Sequence, residues 1–219
     1  MLKVAIPGEQ KTFEILLFDT VGQSKWQLSA ADRQEVLECI NAEFRAAVIK
    51  FQGEYRIRKG DGAVAYFPTE HGGNLGVRSG KYFLSRRTNI INIVGQSHPN
   101  LKPKFRIILT RGEVHCAKDP GADIGKALDD VMKNEKLYGK ENTFRILEAA
   151  HAELKSDYRC EFRKLRGKNV YELKRASAPR KLSRKEVADK EFEYYKFFAN
   201  MTVTNLAARN NITSYLIKR

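Results

Sequence analysis

The sequence has few cysteines and no long apolar run. Its three cysteines, Cys39, Cys116 and Cys160, are far apart and form no CxxC pair, which argues against a disulfide framework. A reduced, cytoplasmic protein is therefore expected. No run of about 18 apolar residues is present, so we expect no membrane span. The N-terminal residues carry no long apolar stretch, so we expect no signal peptide.

Several binding signatures are also missing. The chain has no GxxxxGK[ST] loop, and Gly72-Gly73 lacks the lysine and the helix that a phosphate-binding loop needs. The 4 histidines are scattered without zinc-binding spacing. Acidic residues are in deficit, with 26 Asp and Glu against 40 Lys and Arg, giving a net charge of +14. This charge indicates an anionic partner or substrate, such as nucleic acid, an anionic membrane surface or a nucleoside triphosphate.

A strand, a helix and a hairpin are predicted between Phe13 and Phe67. The apolar run that starts at Phe13 predicts a buried strand ending at Asp19, and Ser29 is a predicted helix N-cap with Asp32 three residues later. Apolar residues then follow helical spacing as far as Val48, with Gly53 closing the helical region. Gly60-Asp61-Gly62 predicts the turn of a hairpin between strands Tyr55–Lys59 and Ala63–Phe67.

The remainder predicts a mixed α+β sheet with helices on one face. We assign residues 1–175 to one domain and residues 176–219 to a basic linker and a C-terminal helical extension. The further predicted elements are a helix through residues 82–94, a strand Phe105–Leu109 with a turn at Gly112 and a return strand Glu113–Ala117, a helix through residues 127–137, a strand Asn142–Ile146, a short helix Leu147–Leu154, and a terminal hairpin of Phe162–Leu165 and Val170–Leu173.

Two aspartates stand out because each is placed at a predicted strand end beside a glycine. Asp19 and Asp61 lie on strands that we expect to pair, and neighbouring carboxylates repel unless a cation such as Mg²⁺ or Mn²⁺ binds between them. Two such ions can activate an attacking hydroxyl and stabilise an α-phosphate and a leaving pyrophosphate. The alternative is that Asp19 caps a helix and Asp61 serves only its turn.

Five segments together resemble class III nucleotide cyclases. They are FDTVGQS, KGDGAVAYF, FRIILTRGEV, DIGKALDDVMKNEK and FRKLRGKNVYELKR, which occur in the family's order from about residue 12 to 175. The resemblance implies a ferredoxin-like α+β fold that forms a head-to-tail homodimer with two shared active sites. It implies that Asp19 and Asp61, helped by the carbonyl of Thr20, bind two divalent cations, Mn²⁺ or Mg²⁺. The implied reaction closes a nucleoside triphosphate into a 3′,5′-cyclic nucleotide and releases pyrophosphate.

The departures from the family bear on the substrate. Ile57 occupies the position of the adenine-reading lysine, and Tyr55, two residues earlier and so on the same strand face, is expected to project into the same pocket. Asp123 falls near the second base-reading position. Asp129 and Lys133 align with the family's transition-state asparagine and arginine, and Lys133 keeps a positive charge for phosphate.

A short cyclase with altered base-reading positions is similar to the bacterial Pycsar pyrimidine cyclases of anti-phage defence. A tyrosine that fills the base pocket suits a small pyrimidine, and its hydroxyl can bond a base carbonyl or ring nitrogen. We therefore favour UTP over CTP, with a downstream cyclic-nucleotide-sensing effector that is a separate protein. Basic residues are expected to meet the triphosphate: Arg56, Arg58, Lys59 and Arg111.

Two other functions fit the same residues. One is a basic ferredoxin-like module that binds nucleic acid, although the aromatic-rich strand motif of RNA-recognition domains is missing. The other is a degenerate cyclase domain that binds nucleotide without turnover, which Asp129 and Lys133 suggest.

Overall fold

The computed structural model describes residues 6–59, 62–69, 74–119 and 122–174, with residues 57–59 described by their backbone alone. Asp61 and the predicted C-terminal extension lie outside these residues. The strands are β1 (Gln10–Val21), β2 (Glu54–Lys59), β3 (Gly62–Pro68), β4 (Lys104–His115), β5 (Phe144–Leu147), β6 (Phe162–Lys164) and β7 (Val170–Leu173). The helices are α1 (Ala30–Lys50), α2 (Leu75–Ser85), α3 (Arg87–Ser97), α4 (Lys126–Lys133), α5 (Glu135–Tyr138), α6 (Glu148–His151) and α7 (Ser156–Arg159), with a 3₁₀ turn at Gln23–Lys25.

The strands form one sheet in the order β2-β3-β1-β4-β5-β7-β6. Every pairing is antiparallel except that between β4 and β5. The predicted mixed α+β architecture is therefore confirmed, as are the hairpin β2–β3 and the terminal hairpin β6–β7. None of the described helices is long and apolar enough to cross a membrane.

Strand β1 has two buried faces, because alternate side chains point to opposite sides of a strand. Leu16 and Phe18 pack against α1 and α2, on what we call the helix face. Ile15 and Leu17 lie on the other side, which we call the open face. Helix α4 packs on this open face through Leu128 and Val131. The prediction that all helices lie on one face was therefore wrong for α4.

Gly112 was predicted to be a turn between two strands, but β4 continues through it without interruption. A Cβ at Gly112 would lie 2.4 Å from the Cβ of Ala127 in α4. The glycine is thus explained by the close approach of a helix to the sheet. The predicted return strand Glu113–Ala117 is the last part of β4, with residues beyond His115 outside it.

The N-cap of α1 is confirmed: the Ser29 hydroxyl accepts a hydrogen bond from the amide of Asp32 at 3.1 Å. Two predicted helices are each divided. The one through residues 82–94 is the pair α2 and α3, which meet at Arg86, and the one through 127–137 is the pair α4 and α5, which meet at Asn134. Residues 147–154 form only the single turn α6.

Candidate active site

Asp19 lies within β1, between two neighbouring strands. It pairs with Gly62 of β3 on one side and with Arg106 of β4 on the other. Strand alternation places it on the open face, the face of Ile15 and Leu17. The residue is only 7% exposed. A carboxylate this buried requires a compensating charge or hydrogen bonds.

Gly62 gives the site its close packing. A Cβ at this position would lie 2.5 Å from the backbone oxygen of Phe18, so any side chain would push β3 away from β1. Beside it is a small cavity of about 60 Å³, whose lining includes Asp19, Met132 and Glu135. The last two residues come from the end of α4 and the start of α5. A cavity of this size has room for a small ion or a water molecule.

Arg106 places a positive charge next to Asp19. Its Nε lies 3.0 Å from Oδ2 of Asp19, and both side chains are nearly buried, at 11% and 10% exposure. Among the described residues this Nε has no hydrogen-bond partner, so the contact is an ion pair without hydrogen-bond alignment. The stem of Arg106 runs beside Gly139, where a Cβ would lie 2.5 Å from Cδ of the arginine.

A metal site was predicted at Asp19 and Asp61, and the described residues contain only the first of these. They contain no group of three or more histidine, cysteine, aspartate or glutamate side chains placed to hold a metal ion. Asp61, the second predicted ligand, lies outside them. Thr20 follows Asp19 in β1 and pairs with Phe105. The carboxylate of Asp19 lies beside the small cavity, and Gly62, which has no Cβ, lines the same cavity. A carboxylate suits a hard cation such as Mg²⁺ or Mn²⁺, because these ions prefer oxygen ligands.

Helix α4 presents Asp129 and Lys133 to solvent. Leu128 and Val131 hold the helix on the sheet, whereas Asp129 and Lys133 are both exposed. They are four residues apart and so lie on the same side of the helix. Within one chain, Lys133 is available to a partner or a substrate on the open face.

A β-bulge in β2 overturns the expectation for Tyr55. Tyr55 pairs with Ala65 and Ile57 pairs with Val64, so Arg56 is an extra residue and strand alternation is broken between them. Tyr55 therefore packs on the helix face, with its ring 6.3 Å from that of Phe44. The prediction assumed regular alternation from Tyr55 to Ile57, which the bulge interrupts. The side chain of Ile57 lies outside the described atoms.

The extra residue of the bulge binds Asp123. Arg56 donates from Nε and Nη2 to the two carboxylate oxygens of Asp123, at 3.1 and 2.9 Å. The amide of Ala117 donates to the same carboxylate at 2.7 Å, and the Asp123 side chain is 0% exposed. Asp123 was predicted to contact the base, but in this chain its oxygens are occupied by protein donors.

The polar network around this pair extends further. Arg56 also donates to Glu54 at 3.1 Å and to the carbonyl of Ala117 at 3.0 Å. Burial, and then the charge of Asp123, raise the pKa of the Tyr66 hydroxyl well above its ordinary value. The network therefore joins β2 and β3 to the segment that leads into α4.

Arg111 was expected to lie near Asp19, and the structure separates them. Asp19 pairs with Arg106, whereas Arg111 is five positions further along β4 and pairs with Glu14. An odd number of positions also places Arg111 on the opposite face. Its Nη1 lies 3.4 Å from Glu153. Arg106, which sequence reasoning missed, is the arginine of this strand that reaches Asp19.

A large groove continues along the open face. Its volume is about 1010 Å³, and it runs between α4 and the hairpin β6–β7, over Gly112, Leu147 and Val170. Two of the most exposed large apolar side chains of the described chain, Ile124 and Leu137, line it at 66% and 56% exposure. The open face is thus apolar and accessible beside the exposed side of α4.

The fold, once compared with solved structures, matches nucleotide cyclase domains. The guanylyl cyclase Cya2 superposes with a TM-score of 0.63 at 14% identity, covering 81% of this chain and 99% of that one. The adenylate/guanylate cyclase/hydrolase from Silicibacter pomeroyi gives 0.60 at 17% identity, covering 77% and 99%. The adenylyl cyclase CyaB from P. aeruginosa gives 0.57 at 12% identity, covering 78% and 97%.

No protein-family model and no curated protein matches the sequence. The structural likeness nevertheless covers nearly the full length of each of these cyclase domains. The chain therefore has the class III nucleotide cyclase fold.

Proposed function

We propose that this protein is a metal-dependent nucleotide cyclase that converts a pyrimidine nucleoside triphosphate, UTP before CTP, into its 3′,5′-cyclic monophosphate. The observation that carries this proposal is the buried Asp19, which lies against Gly62 and Arg106 on the open face of a class III cyclase fold. The location suits a reaction in which a carboxylate holds a cation and an arginine faces phosphate.

The reaction forms one P–O bond and breaks another. The ribose 3′ oxygen attacks the α-phosphorus and its proton passes to water, while the bond from the α-phosphorus to the bridging oxygen breaks and pyrophosphate leaves. Two divalent ions, Mn²⁺ or Mg²⁺, would lower the pKa of the attacking hydroxyl and offset charge on the phosphates when bound. Asp19 and Asp61 would hold them, with the Thr20 carbonyl. Arg106 is placed to bind phosphate oxygens, because a guanidinium matches their geometry.

A homodimer completes the site in this proposal. Lys133 is exposed on α4, where a second chain can reach it. The apolar groove with Ile124 and Leu137 offers a face for a second copy. Asp19 of one chain would then lie opposite Lys133 of the other, where the ammonium group stabilises the charge that develops on the phosphates.

In this proposal, base selection depends on different residues from those the sequence favoured. Tyr55, on which the preference for UTP depended, packs on the helix face. By the resemblance to the family, Asp123 falls near the second base-reading position, and its carboxylate oxygens are bound by Arg56 instead of being free to contact a base. Because the Arg56 side chain takes up space at that position, less room is left for a base. This favours the smaller pyrimidines, so UTP and CTP remain the proposed substrates. The proposed setting is cytoplasmic anti-phage signalling to a separate cyclic-nucleotide-sensing effector.

The test is direct. The purified protein is incubated with each of the four nucleoside triphosphates and Mn²⁺, and products are identified by mass spectrometry. We expect cyclic UMP or cyclic CMP. Asp19→Asn should abolish it, while Asp157→Asn, an exposed aspartate on α7, should leave it intact. A folded dimer that yields no cyclic product from any of the four would refute the proposal.

A degenerate, nucleotide-binding domain is the second candidate. Asp129 favours it, because an exposed carboxylate one helical turn from Lys133 repels phosphate. This candidate predicts tight metal–nucleotide binding without pyrophosphate release. A nucleic-acid-binding module, motivated by the net charge of +14, would instead show salt-dependent RNA binding that is indifferent to Asp19→Asn.

A further inference from the structure

The position of Arg106 is fixed from two sides. Its guanidinium contacts Asp19, with Nε 3.0 Å from Oδ2. Its stem runs past Gly139, whose missing side chain makes the room: a Cβ there would lie 2.5 Å from Cδ and 3.0 Å from Cγ of the arginine. The chain thus holds the Arg106 guanidinium against the carboxylate of Asp19, on which the proposed function depends.

A guanidinium and a divalent ion make opposing demands on Asp19. Both bind a carboxylate through its oxygens, and both are positive, so bringing them to one nearly buried side chain is unfavourable. In the structure, Arg106 neutralises Asp19 with 11% and 10% of the two side chains exposed. An entering divalent ion must therefore weaken or replace this ion pair. The phosphates of a nucleotide offer Arg106 a second anion to bind.

We propose that Arg106 is a resident counter-ion that competes with the divalent cation for Asp19, so that metal binds tightly only when the nucleotide's phosphates draw the guanidinium away. This rests on the proposed function, because it takes Asp19 to be a metal ligand. It gives Arg106 two roles, as the counter-ion of Asp19 before nucleotide binds and as a phosphate ligand afterwards. It also makes binding ordered: metal and nucleotide enter together, and the nucleotide-free protein has low metal affinity.

The test measures Mn²⁺ binding to the nucleotide-free, full-length protein by electron paramagnetic resonance titration. Arg106→Ala should tighten Mn²⁺ binding about tenfold, within the usual range of coupling between two ligands of one site. Lys104→Ala is the matched control. It removes one positive charge two residues earlier in the same strand, where Lys104 pairs with Glu141 at 2.7 Å. It should leave the affinity unchanged.

Gly139→Ala tests the same idea without changing any charge. Its backbone φ is −82°, which alanine adopts readily. The new methyl group would lie 2.5 Å from Cδ of Arg106 and 2.8 Å from the carbonyl oxygen of Glu135, so it must displace the arginine stem and shift that carbonyl as well. We expect Mn²⁺ to bind more tightly than to the native protein. This variant also serves if Arg106→Ala does not fold. Adding Asp19→Asn to either variant should remove the gained affinity.

Three results would overturn the inference: unchanged Mn²⁺ affinity in the folded Arg106→Ala or Gly139→Ala protein, an equal gain in Lys104→Ala, or a gain that survives Asp19→Asn. These outcomes are separable from failure of the proposed function. Cyclic product from the native protein with unchanged affinity in the variants refutes only the competition. Tighter Mn²⁺ binding without cyclic product from any triphosphate refutes only the catalytic proposal.

Discussion

Arg56 donates hydrogen bonds to both carboxylate oxygens of Asp123, across 67 positions of sequence. The pair is almost wholly buried, with side-chain exposures of 7% and 0%. Removal of Asp123 leaves the buried guanidinium of Arg56 with Glu54 as its remaining ionic partner, at 3.1 Å, and without its two hydrogen bonds to Asp123. This makes the pair a structural requirement as well as a neighbour of the proposed base site.

Asp123→Ala should therefore destabilise the protein by about 3–5 kcal/mol. The measurement is urea denaturation followed by circular dichroism. Glu141→Ala is the matched control, because Glu141 forms an ion pair with Lys104 in which the side chains are 46% and 52% exposed. Removal of an exposed pair should cost less than about 1 kcal/mol. A similar loss in both variants would show that burial of the Arg56–Asp123 pair is not the cause.

Gly112→Ala should destabilise the contact between α4 and the sheet, because the new methyl group would lie 2.4 Å from the Cβ of Ala127. We expect a loss of about 1–3 kcal/mol, as for other overpacked cores, measured by thermal or urea unfolding. The double variant Gly112→Ala with Ala127→Gly removes the clash and should recover part of the loss. A double variant whose losses simply add would contradict the contact.

Glu14→Gln should stabilise the protein at neutral pH. Burial raises the pKa of Glu14 above its ordinary 4.5, although the Gly76 amide, Asn74 and Arg111 act in the opposite direction. A raised carboxyl pKa means that the folded state holds its proton longer than the unfolded state. The contribution of Glu14 to stability is then fully present below 4.5 and is lost as pH rises through its folded pKa.

Glutamine removes this loss while its carbonyl still accepts from the Gly76 amide, which donates to Glu14 at 2.7 Å. The advantage of Glu14→Gln should grow as the pH of a urea titration series is raised from 4.5, the ordinary pKa of this carboxyl. Glu43→Gln is a contrast of opposite sign, because its hydrogen bond with Arg86 lowers the pKa of Glu43. That variant should lose stability at neutral pH. An advantage of Glu14→Gln that does not vary with pH would contradict the titration.

The shared-site proposal predicts complementation between two inactive variants. Asp19→Ala and Lys133→Ala chains, once mixed and re-associated, form mixed dimers in which one site has both residues intact. With random pairing, half the dimers are mixed and each has one working site of two, so about a quarter of native activity should return. Cyclic product by mass spectrometry is the measure. Mixed dimers that are present but inactive would refute sites shared between chains.

Local signals in the sequence predicted the local structure well. The Ser29 cap, the β2–β3 hairpin strands and the terminal hairpin depend on neighbouring residues, and each is confirmed. Gly112 was misread for the same reason: a glycine after an apolar run is typical of a turn, and only tertiary structure shows that Ala127 approaches it.

The candidate site was harder to predict because its contacts are long-range. Asp19 was identified from its strand and glycine context, but Arg106 becomes its neighbour only through the pairing of β1 with β4. The bulge at Arg56 could not be predicted, because the strand was assumed to alternate regularly from one face to the other. One additional residue moved Tyr55 to the helix face and brought Arg56 to Asp123.

The same bulge has an effect on the association of chains. Strand β2 is at one end of the sheet, where an unpaired strand edge can recruit another chain. An irregular edge whose sequence is EYRIRK resists that pairing, since bulges distort the ladder and like charges repel. Growth of an open-ended stack through β2 is therefore disfavoured.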